Sequence, residues 1–261
     1  MCTVVFIPGF KEVYFGSLRD ESPKRPRALK PSIKDYNGMC ILSPKDPLGS
    51  GTWVGVNSTG NVIILLNGGF ENHEKKDYYR KSRGTIVSEL LAGSMPVVEW
   101  NLFNLEDVEP FTLIMWSDNN LFQLVWDGQK RSRIRLDETQ PYIWSSSTLY
   151  NSEAKAIREE LFQNWIVMNP PVSKLSLLNF FKTYTEAENG FMMNRSEIIK
   201  TLSFSFISIV EDYNATMSYY DFLNYSYSTE EIALQKVDKN CMQPGDLLIK
   251  QTQNNLTCIK V

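Results

Sequence analysis

The sequence predicts an α+β fold built on antiparallel sheets. Three observations predict it: short β-branched and aromatic runs separated by tight turns in the first third, amphipathic helical stretches in the middle, and a long hairpin of alternating Phe, Ile and Ser after them. No repeat, linker or low-complexity block divides the 261 residues. One domain is therefore expected over 1–261, with the residues after about 225 an unassigned C-terminal extension.

Each element has a local reason. Thr3 to Ile7 is a continuous β-branched and aromatic run, and Val13-Tyr14-Phe15 follows the Pro8-Gly9 turn as a second strand. Lys24 to Lys34 mixes five basic residues with Pro26 and Pro31, which predicts a solvated loop. Thr52 to Asn57 and Val62 to Leu66 read as a hairpin around Ser58-Thr59-Gly60, its second strand apolar on both faces. Arg83 to Leu91 carries Ile86, Leu90 and Leu91 at helical spacing and ends near Gly93. Phe111 to Trp116, Leu121 to Trp126 and Arg131 to Leu136 form a meander through turns at Asp118-Asn119-Asn120 and Asp127-Gly128.

A helix over Ser152 to Val167 sets Ala156, Ile157, Leu161, Phe162 and Trp165 on one face, and Pro170-Pro171 stops it. Ser173 opens another helix, through Phe181. Thr201 to Val210 and Thr216 to Tyr220 make the late hairpin, with Glu211 to Asn214 as its polar tip. In the tail, Leu247-Leu248-Ile249 reads as one further strand.

Composition narrows the function. The net charge of -3 argues against a nucleic-acid partner, which needs a basic face. No apolar stretch approaches the roughly 20 residues that span a bilayer, and the start lacks a secretory pattern. A soluble, cytoplasmic protein is expected. Four scattered cysteines, Cys2, Cys40, Cys241 and Cys258, make neither a disulfide scaffold nor a CxxC pair. Asn72-His73-Glu74 is not an HExxH site, so no metal and no cofactor are expected. His73 is the single histidine; it falls in a polar loop and is given no catalytic role.

The residue that carries most chemistry is Cys2, directly behind Met1. Removal of Met1 would make a thiol the first residue, and its own α-amine, titrating near pH ~8, could take the proton. Such a nucleophile needs no histidine. Four further patterns follow in order: Arg19-Asp20-Glu21 with Arg25-Pro26 after it, Gly51-Thr52-Trp53-Val54-Gly55, Leu66-Asn67-Gly68-Gly69, and Arg83-Gly84-Thr85.

Taken together these motifs resemble the NRDE-domain family (transport and Golgi organisation protein 2-like), well over residues 1 to about 92 and more thinly over 110 to 220. The resemblance implies a branch of the N-terminal-nucleophile hydrolases, and hence an αββα sandwich of two antiparallel sheets between helical layers. It also implies roles. Cys2 would be the nucleophile, Arg19 would favour its thiolate, Asp20 would orient the α-ammonium, and Asn67 would hold an oxyanion, a contact typically worth ~3 kcal/mol of barrier. Trp53 reads as core before ligand platform. Arg83, within the cluster Lys75, Lys76, Arg80, Lys81 and Arg83, could meet an anionic group where its helix begins.

Three positions depart from the family pattern. Leu18 stands where relatives carry asparagine before Arg-Asp-Glu. Ser146 replaces the asparagine of a Ser-Asn pair, and Lys200-Thr201 stands in place of an arginine or threonine pair. Ser146 and Lys200 are the expected substrate contacts on that side. Two functions suit these residues: hydrolysis of a small acyl-amide through Cys2, or non-catalytic carriage of a haem-like or acyl-CoA/lipid-type ligand. A scaffold whose site has decayed is the third reading.

Overall fold

The computed structural model describes residues 3–185, 190–195, 198–210 and 213–235. Cys2 and the strand expected at Leu247-Leu248-Ile249 lie outside the described residues.

The first strand, β1 (Thr3–Pro8), pairs antiparallel with β2 (Glu12–Glu21), which runs well past the predicted Phe15. Next come β3 (Leu29–Tyr36), β4 (Met39–Lys45), β5 (Val54–Asn57) and β6 (Val62–Asn67). Two helices follow, α1 (Arg83–Ala92) and α2 (Pro96–Leu102). The meander is present as β7 (Phe111–Ser117), β8 (Asn120–Trp126) and β9 (Arg131–Leu136), followed by β10 (Tyr142–Ser145). The remaining elements are α3 (Ser152–Met168), α4 (Lys174–Thr183), β11 (Asn194–Arg195), β12 (Ile199–Val210), β13 (Asn214–Asp221) and β14 (Ser226–Ala233).

The strands form two antiparallel seven-stranded sheets. One runs β10-β1-β2-β12-β13-β14 with β11 on β12, and the other runs β3 through β9 in chain order. Side-chain alternation sorts the layers. Val4, Phe6, Phe15 and Ile207 of the first sheet face the second, where Phe6 lies 5.7 Å from Trp116. Val5, Ile7, Leu18, Phe204 and Phe206 face the opposite way, onto Phe162, Leu177 and Phe181 of α3 and α4. Helix α1 covers the far face of the second sheet with Ile86, Val87, Leu90 and Leu91. The result is an αββα sandwich.

The stretch Lys24 to Lys34 is not wholly a loop: residues 29–36 form β3. It is the edge strand of its sheet, largely exposed, and its register slips between Leu29 and Ser32 around Pro31. An edge position with a bulge is where a sheet tolerates both proline and charge. The Asn37-Gly38 turn that closes β3 onto β4 has positive φ at both residues, 56° and 90°, the twist a two-residue hairpin needs. Helix α3 also corrects the pattern reading. Its buried stripe is Ala154, Arg158 and Phe162, while Ile157 is 44% exposed. An arginine had taken the place of an apolar residue in that stripe. Strand β14 adds residues 226–233 to the first sheet beside β13.

Candidate active site

Strand β2 delivers two charged residues to opposite faces. Arg19 points between the sheets, where its guanidinium lies 4.6 Å over the Trp53 ring and 3.2 Å from the Asp46 carboxylate. Asp20 points the other way and accepts a 2.6 Å hydrogen bond from the Thr201 hydroxyl. Leu18, the apolar departure next to them, is fully buried among the phenylalanines of the helical side. Its side chain therefore does not approach Arg19, and the loss of a polar group there is absorbed by packing.

Asp46 is the anchor of this corner. It takes hydrogen bonds from Arg25 at 2.9 Å and from the backbone N–H groups of Leu48 and Gly49 at 3.0 and 3.2 Å. Burial pushes its carboxyl up, but the bonds from Arg25 and Gly49 and the charges of Arg25 and Arg19 outweigh that and hold it below the usual range. Nothing in the motif reading singled out Asp46. The signal was present in Asp46-Pro47-Leu48-Gly49, where an aspartate caps its own turn.

The Gly51 and Gly84 motifs meet directly. The Thr52 N–H donates to the Gly84 carbonyl at 3.1 Å, and a Cβ on Gly51 would lie 2.1 Å from the Gly84 carbonyl carbon. This contact brings the start of α1, with Arg83, against the loop that carries Trp53 into β5. Arg83 pairs with Glu109 at 3.1 Å and donates to the Pro110 carbonyl at 3.2 Å. Burial lowers the pKa of this guanidinium, and the Glu109 charge pulls it back up. His73, assigned to a solvated loop, instead sits half-buried with Nε2 3.5 Å from Glu109.

Asn67 ends β6 just before Gly68, whose φ of +84° and close approach to Ser147 exclude a side chain. The Ser146 hydroxyl donates to the Asn67 carbonyl at 2.7 Å. Ser146, expected to touch substrate, is buried and holds the Asn67 backbone.

One cleft of about 480 Å³ gathers these groups: Arg19, Trp53, Asn67 and Arg83 line it, with Asp46 and Glu109. A smaller one of about 200 Å³ reaches Asn67 from the Ser146 side. A third, of about 900 Å³, is lined by His73, Lys76 and Trp126. Lys200, on β12, lies in register with Glu21 of β2 and Asn194 of β11; Glu21 lines the first cleft and Lys200 does not. Among the described residues no group of His, Cys, Asp and Glu could hold a metal ion, and no helix is long and apolar enough to cross a membrane. The chemistry such a cleft can do rests on fixed cations, the Asn67 amide and whatever nucleophile reaches it.

The sequence matches the family described as Transport and Golgi organisation 2 over residues 1–241. The chain belongs to that family. Comparison with curated proteins finds no match. Among solved structures, a mutant conjugated bile acid hydrolase from Clostridium perfringens superimposes with a TM-score of 0.57 at 10% identity, covering 93% of this chain and 94% of that one. A second variant of that hydrolase gives 0.54 at 9% identity over 90% and 97%. An N-acylethanolamine-hydrolyzing acid amidase ortholog from Caenorhabditis elegans gives 0.56 at 9% identity over 79% and 92%. These likenesses show the fold: this Transport and Golgi organisation 2 family member has the sandwich of the N-terminal-nucleophile hydrolases.

Proposed function

We propose that this chain hydrolyses a small acyl-amide through Cys2, exposed by removal of Met1. The observation that carries the reading is the alternation of β1. Val4 and Phe6 face between the sheets, on the side where Arg19 meets the cleft, and Thr3 and Val4 pair with Leu18 and Ser17. In this reading the nucleophile that precedes β1 in the sequence acts on that same face. The fold supports the same reading, since its solved neighbours include an acid amidase and a bile acid hydrolase.

In this mechanism the α-amine of Cys2 takes the thiol proton, and the sulfur attacks the amide carbonyl carbon. Arg19 favours the thiolate, and the Asn67 amide donates to the developing oxyanion. The amine leaves with the proton returned by the α-ammonium, and water then cleaves the thioester. Asp20, which accepts from the Thr201 hydroxyl, keeps in this reading its role of orienting the Cys2 α-ammonium.

Incubating the protein with an amide and quenching in acid tests this by intact mass. An acyl adduct on Cys2, absent in Cys2→Ala, is the expected result; turnover that survives Cys2→Ala would overturn it.

The carrier reading draws on one observation, the cations Arg19, Arg25 and Arg83 around the cleft, which suit an anionic haem-like or acyl-CoA head group. All three are already paired with Asp46 or Glu109, so it stands second.

A further inference from the structure

Asn67 is common to the linings of the cleft of about 480 Å³ and the one of about 200 Å³, so a group held at Asn67 borders both. The two clefts handle charge differently. In the larger, Arg19, Arg25 and Arg83 are each paired with Asp46 or Glu109. The smaller is lined by a single cation, Lys155 of α3. Burial lowers the pKa of this half-buried ammonium, and no carboxylate acts on it to raise it again. Glu159, one helical turn on, lines the same cleft without forming an ion pair with it.

Gln123 adds a second donor to this lining. Its Oε1 accepts from Trp144 Nε1–H at 2.9 Å, and an indole can only donate, which fixes the orientation of the amide and leaves its NH2 over. Neither that NH2 nor the Lys155 ammonium donates a hydrogen bond among the described residues. The hydroxyls beside them are engaged, Ser146 with the Asn67 carbonyl and Ser147 with that of Glu71. What the cleft leaves open is therefore a set of donors around one desolvated cation, and a cation taken from water is stabilised by an anion that follows it. Room is limited. A water takes about 30 Å³ in the liquid, so a cleft of about 200 Å³ holds a short arm of a few carbons and no long chain.

We propose that the smaller cleft is a carboxylate subsite, and that the amide held at Asn67 carries a carboxylate on its short arm. The proposal rests on the hydrolase reading for placing the amide at Asn67. Lys155 Nζ donates to one carboxylate oxygen in a charge-assisted bond, and Gln123 Nε2–H donates to the other. A lysine supplies only a point charge, so the fixed amide of Gln123 gives the direction that Lys155 does not. A neutral arm of the same size would leave the ammonium desolvated and without a counter-charge, which is the larger penalty in discrimination. The short arm is either the amine half of the substrate, as in an N-acyl amino acid, or the acyl half, as in the half-amide of a dicarboxylic acid.

N-acetylglycine, succinamate and the neutral N-methylacetamide, titrated against the amide NMR shifts of the full-length Cys2→Ala chain, test this without turnover. At least one of the two anions is expected to bind at least tenfold more tightly than the neutral amide. N-acetylglycine as the tighter anion places the amine half in the cleft, and succinamate the acyl half. Lys155→Met is expected to erase the margin. Glu159→Gln, at an exposed position, is expected to widen it, because the carboxylate that opposes the anion is gone. No margin over the neutral amide, a margin that survives Lys155→Met, or weaker anion binding in Glu159→Gln would each overturn the subsite. Should Lys155→Met fail to fold, the sign of the Glu159→Gln effect decides. An inert Cys2 leaves these titrations untouched, so failure of the hydrolase reading shows up separately, in the adduct experiment.

Discussion

Gly51 and Gly84 touch backbone to backbone, with no room for even one methyl group between them: a Cβ on Gly51 would stand 2.1 Å from the Gly84 carbonyl carbon and 2.4 Å from the Thr85 nitrogen. Two motifs thirty-three residues apart in the chain are thus one structural joint, and Arg83 and Trp53 line the same cleft.

Gly51→Ala is expected to lose about 3 kcal/mol of stability, since neither backbone can give way. Gly84→Ala should cost clearly less, because its Cβ would first meet the Thr52 carbonyl at 3.0 Å. Urea denaturation of the two variants checks the order.

Arg158 ties three chain segments inside the protein: Nε donates to Ser145 at 2.8 Å, and the two terminal nitrogens to the Gly190 carbonyl at 2.7 Å and the Thr3 hydroxyl at 2.5 Å. Arg158→Met should destabilise by roughly 3 kcal/mol through those abandoned partners. Ile157→Ser, one residue away and exposed, should change stability by no more than about 0.5 kcal/mol. The reverse order would restore the apolar stripe read from sequence.

Asp46 makes the corner pH-dependent. Its folded-state pKa is depressed, so its contribution is complete above the ordinary carboxylate value of about 3.9 and disappears as pH falls through the depressed one. Asp46→Asn should lower Tm at neutral pH, and the gap from the parent should close in acid. A gap constant with pH would contradict this.

The Asn67 carbonyl accepts from Ser146, the next N–H, that of Gly68, donates to the Pro110 carbonyl, and Asn67 lines the cleft. Asn67→Ala should slow acylation of Cys2 by roughly 10²–10³-fold with Tm nearly unchanged. Quenched-flow mass measurement with an amide substrate reads the rate.

Much of the fold was legible because period and turn chemistry agreed. Residues 111–136 alternate between Asn- and Gly-bearing turns, and they form the meander as read. The parts that escaped had mixed signals. Strand β3 is polar because it is an edge; β10 spans four half-buried residues; α2 is short and begins with Pro96. At the site, Arg19, Trp53, Asn67 and Arg83 came from local motifs and line one cleft. Asp46 and Glu109 did not, because what defines them is a guanidinium 27 or 26 residues away in the chain, a relationship no local pattern carries.

Activation of Cys2 is read most directly by intact mass of the untagged protein, before and after brief iodoacetamide treatment at neutral pH. Loss of Met1, with a single rapid label on Cys2 that slows in Arg19→Met, is the predicted result. Retained Met1, or a Cys2 that reacts no faster than a free cysteine, would contradict the N-terminal nucleophile.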